Sequence, residues 1–199
     1  MTTNYTKNNR IEYRKQLEQV LSTNRLEHSL GVEYTAASLA MRYGMNVEQA
    51  AIAGLLHDCA KYLTTEEKIS LAEEHSIPIS VEERNNPELL HAKLGAIITR
   101  ECYNIDDEEI LSSIHWHTTG HPGMTMLEKI IYIADYIEPS RNHIPDLDLV
   151  RQTAFINIDQ CLVIILEKTI QYLDSTNKVI DPITRETYEY YCKNNQSLQ

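Results

Sequence analysis

Between Val47 and Leu56 the chain leaves a helix almost no polar face: Val47, Ala50, Ala51, Ile52, Ala53, Leu55 and Leu56 point in every direction around it. Such a helix is buried. Asn46, with Gln49 three residues on, has the form of a capping box and fixes where it starts. It delivers His57 and Asp58 into the interior, and there an ionised carboxylate is costly unless a positive charge accompanies it. A neighbouring neutral imidazole cannot supply that charge; a divalent cation can, taking a nitrogen from His57 and an oxygen from Asp58. The plain alternative is a helix C-terminus at which His caps carbonyls and Asp faces water. The dipeptide does not choose between them, so the rest of the chain must.

Helical spacing recurs on both sides of this run. Ile11, Leu17, Val20 and Leu21 predict a short helix over about 9–21, after which Ser22-Thr23-Asn24 offers an N-cap. Leu26, Leu30, Ala37, Leu39, Ala40 and Tyr43 predict a second, stopped by Gly44, with His28 in its first turns. Taken alone, His28 reads as a surface or cap-adjacent histidine. Thr64 and Glu67 cap a helix ending before Pro78, and residues 76–86 read as irregular. Asn86-Pro87 reads as N-cap and first helical residue of a segment through Ile98, in which His91 shares the inward face of Leu94 and Ile98. A satisfied core histidine is the alternative there.

The acidic run Asp106 to Glu109 suits a helix N-terminus, and the helix it opens ends in His115-Trp116-His117, where periodicity favours His117 as the inward residue only weakly. Thr118 to Gly123 must be a loop. Thr125 and Glu128 form a capping box for an apolar helix from Leu127 to Ile137, and Asp135 stands inside it, paired, protonated or metal-bound. A long helical region runs from Asp146 through Ile170, broken near Asn157, with its polar residues read as an outer face. Lys178 to Ile180 reads as a short extended piece, and Asp181-Pro182 caps a last helix through Tyr188 and Tyr191. The predicted fold is all-α, one domain over 1–199, with flexible tails at about 1–9 and 194–199.

Charge and cysteine usage narrow the function. A net charge of -11 argues against a nucleic-acid polymer as partner, which needs a basic surface, but leaves room for a small phosphorylated ligand held by a metal and a few local cations. Four scattered cysteines without Cys-x-x-Cys spacing suit reduced thiols. The longest apolar run, Cys161 to Leu166, is too short for a bilayer, so no membrane association and a cytoplasmic location are expected.

His28, His57, Asp58, His91, His117 and Asp135 thus come from five successive helical segments, and each is an acceptable metal ligand. With them, Arg25-Leu26-Glu27-His28-Ser29-Leu30-Gly31-Val32, Gly54-Leu55-Leu56-His57-Asp58-Cys59-Ala60-Lys61, His117-Thr118-Thr119-Gly120, Leu127-Glu128-Lys129-Ile130 and Ala134-Asp135-Tyr136-Ile137-Glu138-Pro139 resemble the YqeK family of the HD superfamily of metal-dependent phosphohydrolases, the bacterial symmetrical bis(5'-nucleosyl)-tetraphosphatases. The resemblance runs from about Arg25 to Tyr188. One departure is His121, where the family often places an arginine.

What the resemblance implies is specific. The fold would be an HD-domain helical bundle with the metal in its core. His28, His57, Asp58 and Asp135 would hold a divalent metal, iron first, with Mn, Co, Mg or Zn possible. Asp58, Lys61, His91 and His117 would be catalytic, and Cys59, Ala60, Arg141 and the segment Val179, Ile180, Asp181 and Pro182 would join them and His28 around the nucleotide. The chain would be a cytoplasmic, homodimeric hydrolase that splits a phosphoanhydride of diadenosine tetraphosphate with metal-activated water, giving two ADP; an ADP- or GDP-like ligand would also fit. Whether His91 and His117 hold a second ion, with Asp58 bridging, stays open. So do two other readings of the same centre, an HD-type nucleotidase or nucleoside triphosphohydrolase and a non-catalytic purine-nucleotide-binding regulator.

Overall fold

A computed structural model of the chain describes residues 7–196. Among these residues there are eleven α-helices and no strand. Helix α1 (Lys7–Val20) lies across α2 (Thr23–Tyr43) and α3 (Val47–Leu56), then α4 (Thr65–Glu74) and the short α5 (Val81–Asn85) lead to a 3-10 turn (Pro87–Leu89) and α6 (Leu90–Tyr103). Helices α7 (Glu108–Trp116) and α8 (Met126–Ile137) follow, and α9 (Leu147–Ala154), α10 (Ile158–Ser175) and α11 (Pro182–Gln196) complete the described chain.

Helix α3 is the axis that the rest surrounds, with α1, α2, α7 and α8 against it and every residue from Ala50 to Leu56 buried. Burying Ile52, Leu55 and Leu56 completely contributes about 2 kcal/mol for each side chain. The approach to α2 is closest at Gly54, where an added Cβ would come within 2.9 Å of the Val32 carbonyl oxygen. Glu33, fully buried on α2, is held by Arg10 and by Arg14, whose Nε donates to Oε2 at 2.9 Å, so its charge is matched and α1 is tied down.

Local signals mostly fall where they were expected. Ser22, Asn46, Thr64, Asp107, Thr125 and Asn157 all accept from backbone amides at helix starts, and Asn157 divides α9 from α10. The exceptions have physical reasons. Gln49 closes no capping box; its amide reaches across to Asp107 at 3.0 Å and Glu109 at 3.2 Å. Residues 76–86 are not wholly irregular, because Ser80 and Glu83 cap α5, a helix too short to display an apolar period. Asn86 makes no side-chain cap, and the chain passes through the 3-10 turn before α6 begins at Leu90. Lys178 to Ile180 pairs with nothing as a strand. Helix backbone already begins at Lys7 and continues to Gln196, inside both expected tails; residues 1–6 and 197–199 lie outside the described residues.

Glu128 joins three pieces of this scaffold. It accepts from the Thr125 amide at 2.6 Å and from Ser112 Oγ of α7 at 2.5 Å, and it faces His121 Nε2 at 3.0 Å. Burial alone would raise its pKa, but these partners outweigh burial and hold it below the ordinary value of 4.5. The stability it contributes is therefore present above that value and is lost as pH falls through its depressed folded pKa. Glu128→Gln is expected to lower Tm by a few degrees at neutral pH, on the scale of a lost cap of about 1 kcal/mol. The gap to the wild type should close as thermal melts are repeated below about pH 4.5.

Candidate metal centre

Three histidines stand where helices end or begin, and the helix ends set their protonation. His57 follows the last residue of α3 and its Nδ1 donates to the Gly54 carbonyl at 2.7 Å; His117 does the same after α7, toward Ile114 at 2.7 Å. His91, in the first turn of α6, turns Nδ1 to the Glu88 carbonyl. His28, on α2, turns Nδ1 to Glu138 Oε1 at 3.1 Å. An oxygen that only accepts calls for an N–H opposite it, so a neutral ring at His57, His91 or His117 carries its proton on Nδ1 and turns Nε2 inward without one, while His28 has a carboxylate facing each nitrogen, Glu138 at Nδ1 and Asp135 at Nε2.

The four Nε2 atoms converge. His28 Nε2 and His57 Nε2 are 3.2 Å apart, and His91 Nε2 and His117 Nε2 are 3.1 Å apart. Asp58 lies between the pairs, with Oδ2 at 3.6 Å from His57 and 3.9 Å from His28 and Oδ1 at 3.3 Å from His91 and 3.6 Å from His117. Asp135 Oδ1 completes one side, 3.0 Å from His28 and 3.8 Å from His57. Opposed lone pairs at such separations repel unless a proton or a cation lies between them. Burial pushes His57 down to about 4 and also lowers His91, so those two rings hold a proton poorly near neutral pH. A set of imidazole nitrogens and carboxylate oxygens is a donor set for a divalent transition metal, and these residues fit one.

The carboxylates are prepared for a cation. Burial would raise the pKa of Asp58, yet His57, His117 and His91 bring it well below the ordinary value. Burial acts on Asp135 likewise and is outweighed by His28, His57 and Arg141. For His28 the same burial lowers the pKa, and Asp135 and Glu138 reverse the direction.

All six residues singled out as ligand types in the sequence are brought together. Arg141 is beside them, its Nη2 donating to Asp135 Oδ1 at 2.8 Å. Lys61 sits at the edge of the same region, 3.4 Å from Glu88. Cys59 and Ala60 are buried; the Cys59 thiol faces the Gly95 carbonyl at 3.5 Å, and burial pushes its pKa up to about 12. Beside His28 and Asp135 a cavity of about 1050 Å³ opens between α2, the loop after α8 and α10, and none of Val179, Ile180, Asp181 and Pro182 lines it. His121, in the loop before α8, faces Glu128, and its ring lies tilted against Trp116 with the centroids 4.9 Å apart.

Two residues escaped the sequence reading as actors. Arg25 Nη1 donates to Asp58 Oδ2 at 2.7 Å, and it lies three residues before His28, one helical turn away on the same face. Glu138, fully buried at the end of α8, bonds His28 and accepts from the Ser140 amide at 2.6 Å. Its sequence signal is an acid at the end of an apolar helix, just before Pro139. Room for it comes from Gly31, where an added Cβ would stand 2.5 Å from Glu138 Oε2.

A family model described as the HD domain matches residues 25–140. A Bacillus subtilis protein named symmetrical bis(5'-nucleosyl)-tetraphosphatase is 39% identical over 182 residues, spanning 92% of this chain and 97% of that one. Its counterpart of the same name in Halalkalibacterium halodurans is 39% identical over 168 residues, 84% of this chain and 89% of its own. A crystal structure from Clostridium acetobutylicum, described as a predicted HD superfamily hydrolase involved in NAD metabolism, superposes with a TM-score of 0.89 at 38% identity, covering 92% of this chain and 97% of that one. The chain is an HD-domain protein, and within that family it belongs with the bacterial proteins called symmetrical bis(5'-nucleosyl)-tetraphosphatase.

A carboxylate on the far nitrogen orients a ligating imidazole and strengthens it as a donor, and removing such a partner typically lowers metal affinity about 10- to 100-fold. Glu138→Ala is expected to weaken binding of manganous ion by that factor in calorimetric titration. Glu138→Asp, which keeps the charge but shortens the reach, should fall between it and the wild type.

Proposed function

We propose that the chain hydrolyses diadenosine tetraphosphate symmetrically, releasing two ADP, at the centre formed by His28, His57, Asp58, His91, His117 and Asp135. One observation carries the proposal: two pairs of imidazole Nε2 atoms and the Asp135 carboxylate converge around the shared carboxylate of Asp58, a donor set that a divalent cation would satisfy. When bound, that cation supplies Lewis acidity at a phosphoryl oxygen and acidifies water near neutral pH.

The protein's own groups have the remaining work. His28, His57, Asp58 and Asp135 are the proposed metal ligands. Asp58, Lys61, His91 and His117 are the proposed catalytic residues: Asp58 orients the attacking water, Lys61 balances charge on the phosphoryl group and on the departing ADP, and His91 or His117 adds to this when it takes up a proton against the bound phosphate. Arg141 keeps free N–H donors beyond those given to Asp135, enough to hold a second phosphate. ADP is a good leaving group, so positioning and neutralisation are the main demands.

The mixed nitrogen and oxygen donors suit iron and also accept manganese, cobalt, magnesium or zinc. Iron, a homodimer and a single catalytic unit over 1–199 come from the resemblance to the YqeK family. Free cysteines support a cytoplasmic location. No helix among the described residues is long and apolar enough to cross a membrane.

Asp58→Ala and Asp135→Ala are each expected to remove both bound metal, measured by elemental analysis, and hydrolysis. Chromatography of the wild-type products should show ADP alone from diadenosine tetraphosphate. AMP with ATP would contradict symmetrical cleavage, and faster turnover of mononucleotides would favour a nucleotidase. Retained activity in either aspartate variant would remove the centre from the reaction.

A further inference from the structure

Lys68 stands where a lysine is unfavourable on two counts. It lies just inside the start of α4, at the positive end of that helix, and it is only 1% exposed, so its ammonium has also lost its water. Its one ionic partner among the described residues is Glu88, in the 3-10 turn before α6, and the Glu88 side chain is more than half exposed. A buried ammonium tied to an open carboxylate is a poor source of stability. An apolar side chain of similar length would fill the same space without the desolvation.

The carboxylate has a second cation. Lys61 Nζ lies 3.4 Å from Glu88 Oε2, at the long end of a hydrogen bond, whereas Lys68 Nζ is in close contact with Oε1. Two lysines thus share one carboxylate, and the three charges leave one positive. This group is tied to the metal centre at both ends. Lys61 donates its backbone N–H to the Asp58 carbonyl at 3.0 Å, and the Glu88 carbonyl receives Nδ1 of His91.

We propose that Lys68 is a positioning residue for Lys61: it compensates Glu88, so that the carboxylate holds the Lys61 ammonium at the edge of the centre and releases it to a phosphoryl oxygen when substrate binds. The proposal rests on the catalytic reading of Lys61 given above and adds the two groups that keep its charge available. Neither group makes or breaks a covalent bond; an ammonium exchanges one anionic oxygen for another. Lys68 eases that exchange because Glu88 still has a cation after Lys61 has left it, where a carboxylate stripped of its only partner would resist the loss. The burial of Lys68 follows from the same task. An ammonium closed off from solvent cannot follow the phosphate and stays with Glu88.

The test is a set of manganese-loaded variants: Lys68→Met, Lys61→Met, Lys68→Met with Glu88→Gln, and Lys61→Met with Lys68→Met, each with Tm and manganese affinity measured. In Lys68→Met, kcat/KM for diadenosine tetraphosphate is expected to fall about tenfold at unchanged manganese affinity, and adding Glu88→Gln, which leaves Lys61 no carboxylate to neutralise it, should restore it to within about threefold of the wild type. Lys61→Met should be slow by itself, and Lys68→Met should slow it no further. Calorimetric affinity for inorganic pyrophosphate should follow the same order, so the series does not depend on turnover. A purely structural pair predicts the opposite of recovery: the variant lacking both Lys68 and Glu88 would be as slow as Lys68→Met or slower, with losses that track Tm, and this would overturn the proposal. Wild-type behaviour of Lys68→Met beside a slow Lys61→Met would overturn it too, while the catalytic reading of Lys61 stands. If Lys61→Met matches the wild type in both turnover and pyrophosphate affinity, that reading fails and the proposal with it. Should the wild type leave diadenosine tetraphosphate intact, the hydrolase reading fails, and the pyrophosphate order alone supports or overturns the role of Lys68.

Discussion

Opposed imidazole nitrogens govern this structure. A neutral imidazole protonates the nitrogen that faces an acceptor, and here every Nδ1 faces one, with His28 alone meeting a second carboxylate, that of Asp135, within 3.0 Å of Nε2. Two of those acceptors are carbonyls of the last helical turn, which an α-helix leaves without an internal donor. The ends of α3 and α7 are thus used twice: the orphan carbonyl gains a donor, and the histidine that supplies it presents its other nitrogen inward. A histidine in the middle of either helix would find the carbonyl behind it already taken. Where these helices stop is therefore part of the chemistry of the centre.

Holding such a cluster together demands a rigid surround, because every group in it would move apart if allowed. Small residues bring the backbones close enough. Gly54 seats α3 on α2, Gly31 admits the Glu138 carboxylate, and Gly95 lets α6 pass within 3.4 Å of the His57 carbonyl, measured from where its Cβ would be. Large apolar side chains then fill what remains, with Leu55, Leu56, Leu90, Ile110 and Ile114 fully buried around the histidines. Close-packed surroundings of this kind resist small displacements, and that resistance helps to hold the donor positions.

What was legible in the sequence follows from cost. A His-Asp pair at the end of a helix with no polar face, and an Asp inside α8, are expensive placements, and expensive placements stand out. The order of helices was legible for a similar reason, since caps such as Thr64–Glu67 and Thr125–Glu128 are short, local patterns. Interactions that depend on distant partners were not. Gln49 matched a local pattern but serves Asp107 instead. Glu138 and Arg25 look like ordinary polar residues until Glu138 is seen against Gly31 and Arg25 against Asp58. The polar face of α10 reads as an outer face, and Glu167, Gln171, Tyr172, Asp174 and Ser175 are indeed exposed; what periodicity cannot show is that part of this face also borders a cavity.

The charge balance explains why a cation is central to recognition as well as to reactivity. The chain carries a net charge of -11, and the basic residues near the centre are already engaged: Arg25 with Asp58, Arg141 with Asp135, Lys61 with Glu88 and Lys168 with Asp146. A polyphosphate approaching this region meets paired charges inside an overall negative field. Placing a divalent ion among Asp58, Asp135 and the four imidazoles changes the local sign without altering the rest of the surface. Attraction is then confined to one spot, strong for a short polyphosphate whose charges reach the ion together and weak for a long nucleic acid that would need a basic track along its length. On this basis affinity for the substrate and occupancy of the metal site are linked quantities, and the selectivity for a small phosphorylated molecule is a consequence of the same acidic surface that would otherwise repel it.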